Sequence, residues 1–373
     1  MARNREQNRH CNHVIRIICE GEKTEPLFFT ALCERYVTTK GIDARTVPQA
    51  PVTDETEELS TERGSYKGKK RQVKQLPAED APVISGAPPL KWVVYARRLL
   101  SEGVDEAWAV YDKDKHPKHK EAIEEVAECE KQLSKQLGRG VKIVNGKRVG
   151  IAFTSRSFEY YLLLHFEYLY REFQETECGE KVGGKKKIFR CGTDTFPDKD
   201  CHGDKCINGY ARMQGYWEES KTSKSMFPLV ENRLKKGIIN GCRLRDESDT
   251  VTKEPMYNRN PYTTADLLVG RLMGIETINY GSTYSYIEAG NNLSIVRNGS
   301  TLTVKNELSK IAILNDGFFQ IYNWEEDSYT SLNDRIVLEA NSTVSLDLSG
   351  VTANQLVSLK TSAKEILFLP SFG

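Results

Sequence analysis

Apolar positions along the chain follow two rhythms. Up to about residue 275, short and nearly continuous apolar runs at 13–19 (HVIRIIC), 106–111 (EAWAVY) and 150–154 (GIAFT) predict buried strands. Between them, apolar residues recur at helical spacing. Helices are predicted over 25–40, 90–101, 117–137, 156–173, 225–236 and 263–273, the first with Thr24 as N-cap and Pro26 in the opening turn. Strands alternating with helices predict an α/β domain with a mostly parallel sheet. After Gly274 the period becomes two. SYIEAG, NLSIVRNG, TLTVKN, KIAILNDG, FFQIYNW, RIVLEA, TVSLDLSG, QLVSLKT and EILFLP are punctuated by Asn-Gly, Asp-Gly and Ser-Gly turns, which predicts an all-β sandwich. The expected organisation is therefore an α/β domain over 1–275 and a separable β-sandwich over 276–373. Within the first, 41–89 reads as an insertion and 176–245 as a Cys-rich segment.

At 373 residues the chain has room for two cores, and 39% hydrophobic against 28% charged residues excludes a disordered or membrane-embedded class. The net charge of +1 conceals an imbalance: residues 276–373 carry 11 acidic and 6 basic side chains, or −5, which leaves +6 on the rest. A basic body is compatible with nucleic acid. No secretory signal follows the basic start, and the most apolar stretch, YYLLLHFEYLY, is too short to span a bilayer, so a cytoplasmic protein with no membrane partner is expected. Nine scattered cysteines agree, since an odd number does not make a disulfide framework.

Candidate chemistry begins at IICEGEKTEP, where a buried run stops at Glu20. Ligands gather at the carboxyl ends of parallel strands. Asp112 and Asp114 in VYDKDKH end the second predicted strand on one side of it. If the two strands are neighbours, three carboxylates converge, and such a cluster calls for a hard cation such as Mg²⁺ or Mn²⁺. Taken singly, Glu20 reads as the start of a turn and DKDKH as a solvated loop.

Together, a strand followed by Glu-Gly and a later strand followed by Asp-x-Asp form the two-part signature of the Toprim domain. CEGEKTEPLFF, AVYDKDKH, FTSRSFEYYLLLHF and NPYTTADLL, in that order over about residues 13–275, resemble the RloB-like family of Toprim-type proteins from bacterial and archaeal defence islands. The resemblance implies a Toprim-like sheet and metal held by Glu20, Asp112 and Asp114. It also implies a nuclease acting on RNA, tRNA included, or on DNA, as an antiphage or abortive-infection effector. An ATPase or another defence component is the implied partner, and a homo-oligomer is compatible with it. The rival reading is a non-catalytic metal-binding adaptor whose sandwich recognises a phage or host protein.

Other residues carry weaker signals. Glu25 reads equally as a further ligand and as an acid complementing the helix dipole. Glu159, in an otherwise apolar helix, is either near the metal or a buried acid paired with Arg156. His165 fits a packed core histidine. Lys23, Lys115 and His116, with Lys69, Lys70 and Arg71 of the run KGKKRQVK, are candidate phosphate contacts, set against ordinary solvated positions. Cys191, Cys201 and Cys206 are candidate structural Zn²⁺ ligands, although their spacing matches no common knuckle.

Overall fold

The computed structural model describes residues 13–37, 41–47, 88–113, 117–136, 147–182, 185–188, 203–218 and 225–372. Its first half is built on β1 (His13–Cys19), α1 (Thr24–Tyr36), β2 (Ile42–Thr46), α2 (Pro89–Ser101), β3 (Glu106–Asp112), α3 (His119–Gln136), β4 (Arg148–Ser155) and α4 (Phe158–Leu163). A hairpin, β5 (Gly179–Val182) and β6 (Lys185–Ile188), precedes α5 (Ile207–Met213), α6 (Phe227–Val230), α7 (Leu234–Val251), β7 (Tyr262–Thr263) and α8 (Ala265–Met273). The main sheet has the order β2-β1-β3-β4-β7, parallel except for β7. The strands ending at Glu20 and Asp112 are neighbours.

Alternation along each strand sends side chains into two cores. Ile15, Ile17, Trp108, Val110 and Ala152 pack beneath α1, α4, α7 and α8. Ile18, Ala107, Ala109, Tyr111 and Phe153 pack beneath α2 and α3. The result is a sheet between two helical layers.

Four predicted elements differ. The segment assigned to an insertion begins with β2, an edge strand whose Asp43 is held by Arg16 at 2.9 Å and Arg45 at 2.6 Å. The N-cap of α1 is Lys23, with Thr24 already helical. The helix expected over 156–173 stops at Leu163. Beyond it aromatic side chains replace helical bonds: Tyr160 OH donates to Leu169 O at 2.5 Å, and Phe166 stacks on Tyr216.

Helix α7 runs well past the predicted 225–236. Its Gly237 and Gly241 let neighbours approach, because a Cβ there would lie 2.6 Å from His165 Cδ2 and 2.7 Å from Asp266 Cβ respectively. Arg245 in turn ion-pairs with Asp266 of α8.

The C-terminal part comprises β8 (Ile275–Ile278), β9 (Thr283–Glu288), β10 (Asn291–Asn298), β11 (Thr301–Asn306), β12 (Ala312–Leu314) and β13 (Phe319–Asn323). It continues with β14 (Ser328–Ser331), β15 (Ile336–Leu338), β16 (Thr343–Asp347), β17 (Gln355–Lys360) and β18 (Glu365–Phe368). These form sheets of order β16-β11-β10-β9, β12-β15 and β14-β13-β17-β18-β8, antiparallel save for the parallel β18–β8 pair. Leu293, Ile295, Leu302, Phe319 and Leu359 fill a core between them. A second contact joins this part to the α/β domain: Tyr322, Leu356, Leu367 and Leu369 belong to the same buried cluster as Ile238 and Leu272. Lys235 of α7 reinforces it, reaching Glu365 at 3.2 Å beneath the rings of Tyr322 and Tyr329.

Candidate metal centre

The parallel ladder between β1 and β3 continues one residue past β1, with Glu20 N–H donating to Val110 O at 2.9 Å. Glu20 is thereby fixed at the sheet's carboxyl edge. Its Oε2 accepts the Asp112 N–H at 3.2 Å, so the side chain lies across the mouth of both strands. The turn-opening role and a ligand role are therefore compatible in one residue.

Asp112 follows Trp108 and Val110 in the alternation of β3, which directs it to the face covered by α1 and α4. Glu25 opens α1 and Glu159 opens α4, and both are buried. Burial pushes the Asp112 carboxyl well above the ordinary carboxylate range, and the negative charges of Glu25, Glu159 and Glu20 add to the effect, against a backbone hydrogen bond from Phe158. The charges of Glu25, Glu159 and Glu20 thus all reach Asp112. Cys19 lies beneath them, its thiol raised first by burial and then by Glu25.

Gly21 explains how Glu25 enters. A Cβ at Gly21 would stand 2.6 Å from Glu25 Cδ and 2.8 Å from its Oε1, so the carboxyl occupies the space a side chain would fill. An all-oxygen donor set fits a hard divalent cation better than a soft one. Among the described residues, no group of three or more His, Cys, Asp or Glu side chains has the spacing of a metal site. Asp114, the third ligand expected, lies outside the described residues, as do Lys115 and His116.

Lys113 Nζ donates to Asn258 O at 2.5 Å and Arg259 O at 3.2 Å, and burial, then Arg156, lower its pKa while Glu172 opposes them. Lys23 is exposed at the start of α1. His165 is a core histidine as expected: buried against Tyr161 and Phe28, with Nδ1 on Tyr161 O at 3.0 Å, it is pushed down to about 4 by burial.

Lys69, Lys70, Arg71, Cys191 and Cys201 also lie outside the described residues. Cys206 is buried at the start of α5, where its carbonyl accepts the Tyr210 N–H at 3.0 Å. Cys242 packs inside α7 with its thiol 3.2 Å from Asn279 Oδ1.

A mixed α/β sheet with a carboxylate cluster at its carboxyl edge defines the general class. The family model described as RloB-like protein matches residues 15–272, and the chain belongs to that family. Neither the curated proteins nor the solved structures give a match to this chain. Among the described residues no helix is long and apolar enough to cross a membrane.

Proposed function

We propose that this chain is a Toprim-type nuclease that requires Mg²⁺ or Mn²⁺ and hydrolyses phosphodiester bonds of RNA, tRNA included, or of DNA. The observation that carries the reading is the half-buried Asp112 at the end of β3, whose N–H is held by the Glu20 carboxylate and whose carboxyl feels the charges of Glu25, Glu159 and Glu20. Four acids held together without a cation repel one another, and a divalent ion relieves that repulsion. Glu20, Asp112 and Asp114 would hold the ion, with Glu25 and Glu159 close behind. Bound there, the metal supplies charge stabilisation and a water activated at neutral pH.

The chain's own residues prepare the site. The Glu20 carboxylate is oriented by the Asp112 N–H, and Gly21 leaves room for Glu25. Backbone donation from Phe158 to the Asp112 carboxyl favours its ionised form against the neighbouring charges. We further propose that the protein acts in antiphage defence in the cytoplasm, with an ATPase or another component and as a homo-oligomer.

Purified wild type, Glu20→Gln and Asp112→Ala incubated with RNA and DNA plus Mg²⁺ or Mn²⁺ test the proposal. Cleavage by wild type that EDTA stops and either substitution abolishes is expected. Cleavage that persists in EDTA removes the metal, and metal binding without any cleavage returns the adaptor reading.

A further inference from the structure

The two-stranded sheet of β12 and β15 carries an exposed apolar face. Its register sets Ile313 opposite Val337, with Ala312 opposite Leu338 and Leu314 opposite Ile336. Ala312, Leu314 and Leu338 turn into the core of the sandwich, so alternation sends Ile313 and Val337 outward together. They are 44% and 53% exposed, and Ile311, just before β12, is 53% exposed. Directly opposed residues on one face of an antiparallel pair are in reach of each other, so Ile313 and Val337 form one patch.

The strand β15 also has a free edge. Among the described strands it pairs only with β12. Asn306 of β11, itself buried, holds the end of the strand by donating its Nδ2 to Leu338 O at 3.3 Å and to Glu339 O at 3.0 Å. A free edge bearing apolar side chains invites another strand unless charge keeps it away. Here the charges stand at the two ends and have opposite sign, in the order Arg335, Ile336, Val337, Leu338, Glu339. Arg335 and Glu339 are exposed, and among the described residues neither makes an ion pair.

We propose that two copies of this chain join through β15, paired antiparallel about a two-fold axis at Val337. In that register the strand is self-complementary. Arg335 stands opposite the partner's Glu339 and Glu339 opposite the partner's Arg335, so one sequence supplies two ion pairs. Across the joined sheet Ile313, Val337, the partner's Val337 and the partner's Ile313 form one row, each valine covering part of the other. On the inner face Ile336 falls opposite the partner's Leu338, which continues one apolar layer into the next. Moving the axis by one residue breaks both ion pairs and sets Val337 against Arg335 or Glu339. Parallel pairing in register sets like charges side by side. The strand β12 offers no such match, because Ile311 and Asn315 on either side of Ile313 are uncharged. This surface belongs to the homo-oligomer proposed above and rests on that reading, not on the nuclease chemistry. A strand pair is small beside the roughly 1,600 Å² of a standard interface, so a dimer that dissociates at micromolar concentrations is expected.

Sedimentation equilibrium of the full chain at micromolar concentrations and low salt measures the dimer directly. Wild type should dimerise, and Val337→Lys should be monomeric because two ammonium groups would meet at the axis. Arg335→Glu sets acid against acid at both ends of the joint, and Glu339→Arg sets cation against cation. Each alone should weaken the dimer on the order of tenfold, through two lost attractions and two new repulsions. Mixed together, these two variants should form a heterodimer of about wild-type affinity, since glutamate then faces arginine at both ends. The double variant Arg335→Glu, Glu339→Arg should also dimerise like wild type, which covers the case in which a single variant fails to fold.

A monomeric wild type overturns the proposal together with the homo-oligomer reading. A dimer that Val337→Lys and Arg335→Glu leave intact overturns this surface alone and keeps the oligomer. Weakening by the single variants, with recovery in neither the mixture nor the double variant, overturns the antiparallel register.

Discussion

Gly21→Ala is a sharp perturbation of the carboxylate cluster because it changes no charge and removes no group. Gly21 is not among the residues with positive φ, so its backbone conformation is open to alanine. The penalty is steric. The new Cβ would stand 2.6 Å from Glu25 Cδ, where ordinary contact begins at 3.4 Å, so the carboxyl carbon must retreat by at least 0.8 Å. The retreat is resisted to the extent that Glu25 is itself buried. A destabilisation of about 1–3 kcal/mol is expected, as for other overpacked sites. If Glu25 helps to set the site, a shift of about 1 Å should lower cleavage on the order of 10²-fold. Thermal unfolding, calorimetric Mn²⁺ titration and cleavage would be compared for wild type, Gly21→Ala and Glu25→Gln. Gly350→Ala serves as control, because its Cβ would meet nothing within 4 Å. A folded Gly21→Ala protein that binds Mn²⁺ and cleaves like wild type would refute the argument and leave Glu25 as a helix-terminal acid.

Three further outcomes are expected. Burial and the neighbouring acids raise the Asp112 carboxyl above its ordinary value of 3.8, so its contribution to stability is full below that pH and is lost as pH rises through the folded-state value. Metal-free wild type should therefore lose more stability from about pH 4 to neutrality than Asp112→Asn does, and parallel urea midpoints across that range would contradict this. Deleting 276–373, which the sequence suggested would leave an intact domain, removes Tyr322, Leu356, Leu367 and Leu369 from a shared core. A loss of several kcal/mol is expected, on the scale of about 2–5 for one buried leucine, and a truncated chain melting within a few degrees of wild type would make that contact unimportant. Elemental analysis decides the zinc reading: about one equivalent per chain keeps Cys191, Cys201 and Cys206 as ligands, and none excludes them.

The strands β1, β3 and β4 were legible because parallel strands covered on both faces read as unbroken apolar runs. The edge strand β2 was not, since IDART carries charges that pair across its exposed side. Most of α7 was missed for a related reason: Gly237, Asn240 and Gly241 look like helix breakers in the sequence, yet they allow His165 and Asp266 to pack closely. At the site, Glu20 and Asp112 followed from strand ends. Glu25 and Glu159 stayed ambiguous because an acid in a helix's first turn already has a local explanation. The alternation along β3, which turns Asp112 toward both helices, is what brings their charges to bear on it.

The parallel pairing of β8 with β18 sets an order of events during synthesis. β8 leaves the ribosome directly after α8, but the strand that covers its edge emerges 90 residues later, from Ile275 to Glu365. At typical elongation rates that is about 5–20 s. Throughout that interval the α/β domain holds its sheet and carboxylate cluster while the apolar surface destined for Leu367 and Leu369 is uncovered. A strand made 90 residues after β8 is thus the one that covers its edge, and a nascent chain stalled before Glu365 would present an open edge and a bare hydrophobic face to whatever binds unfinished proteins.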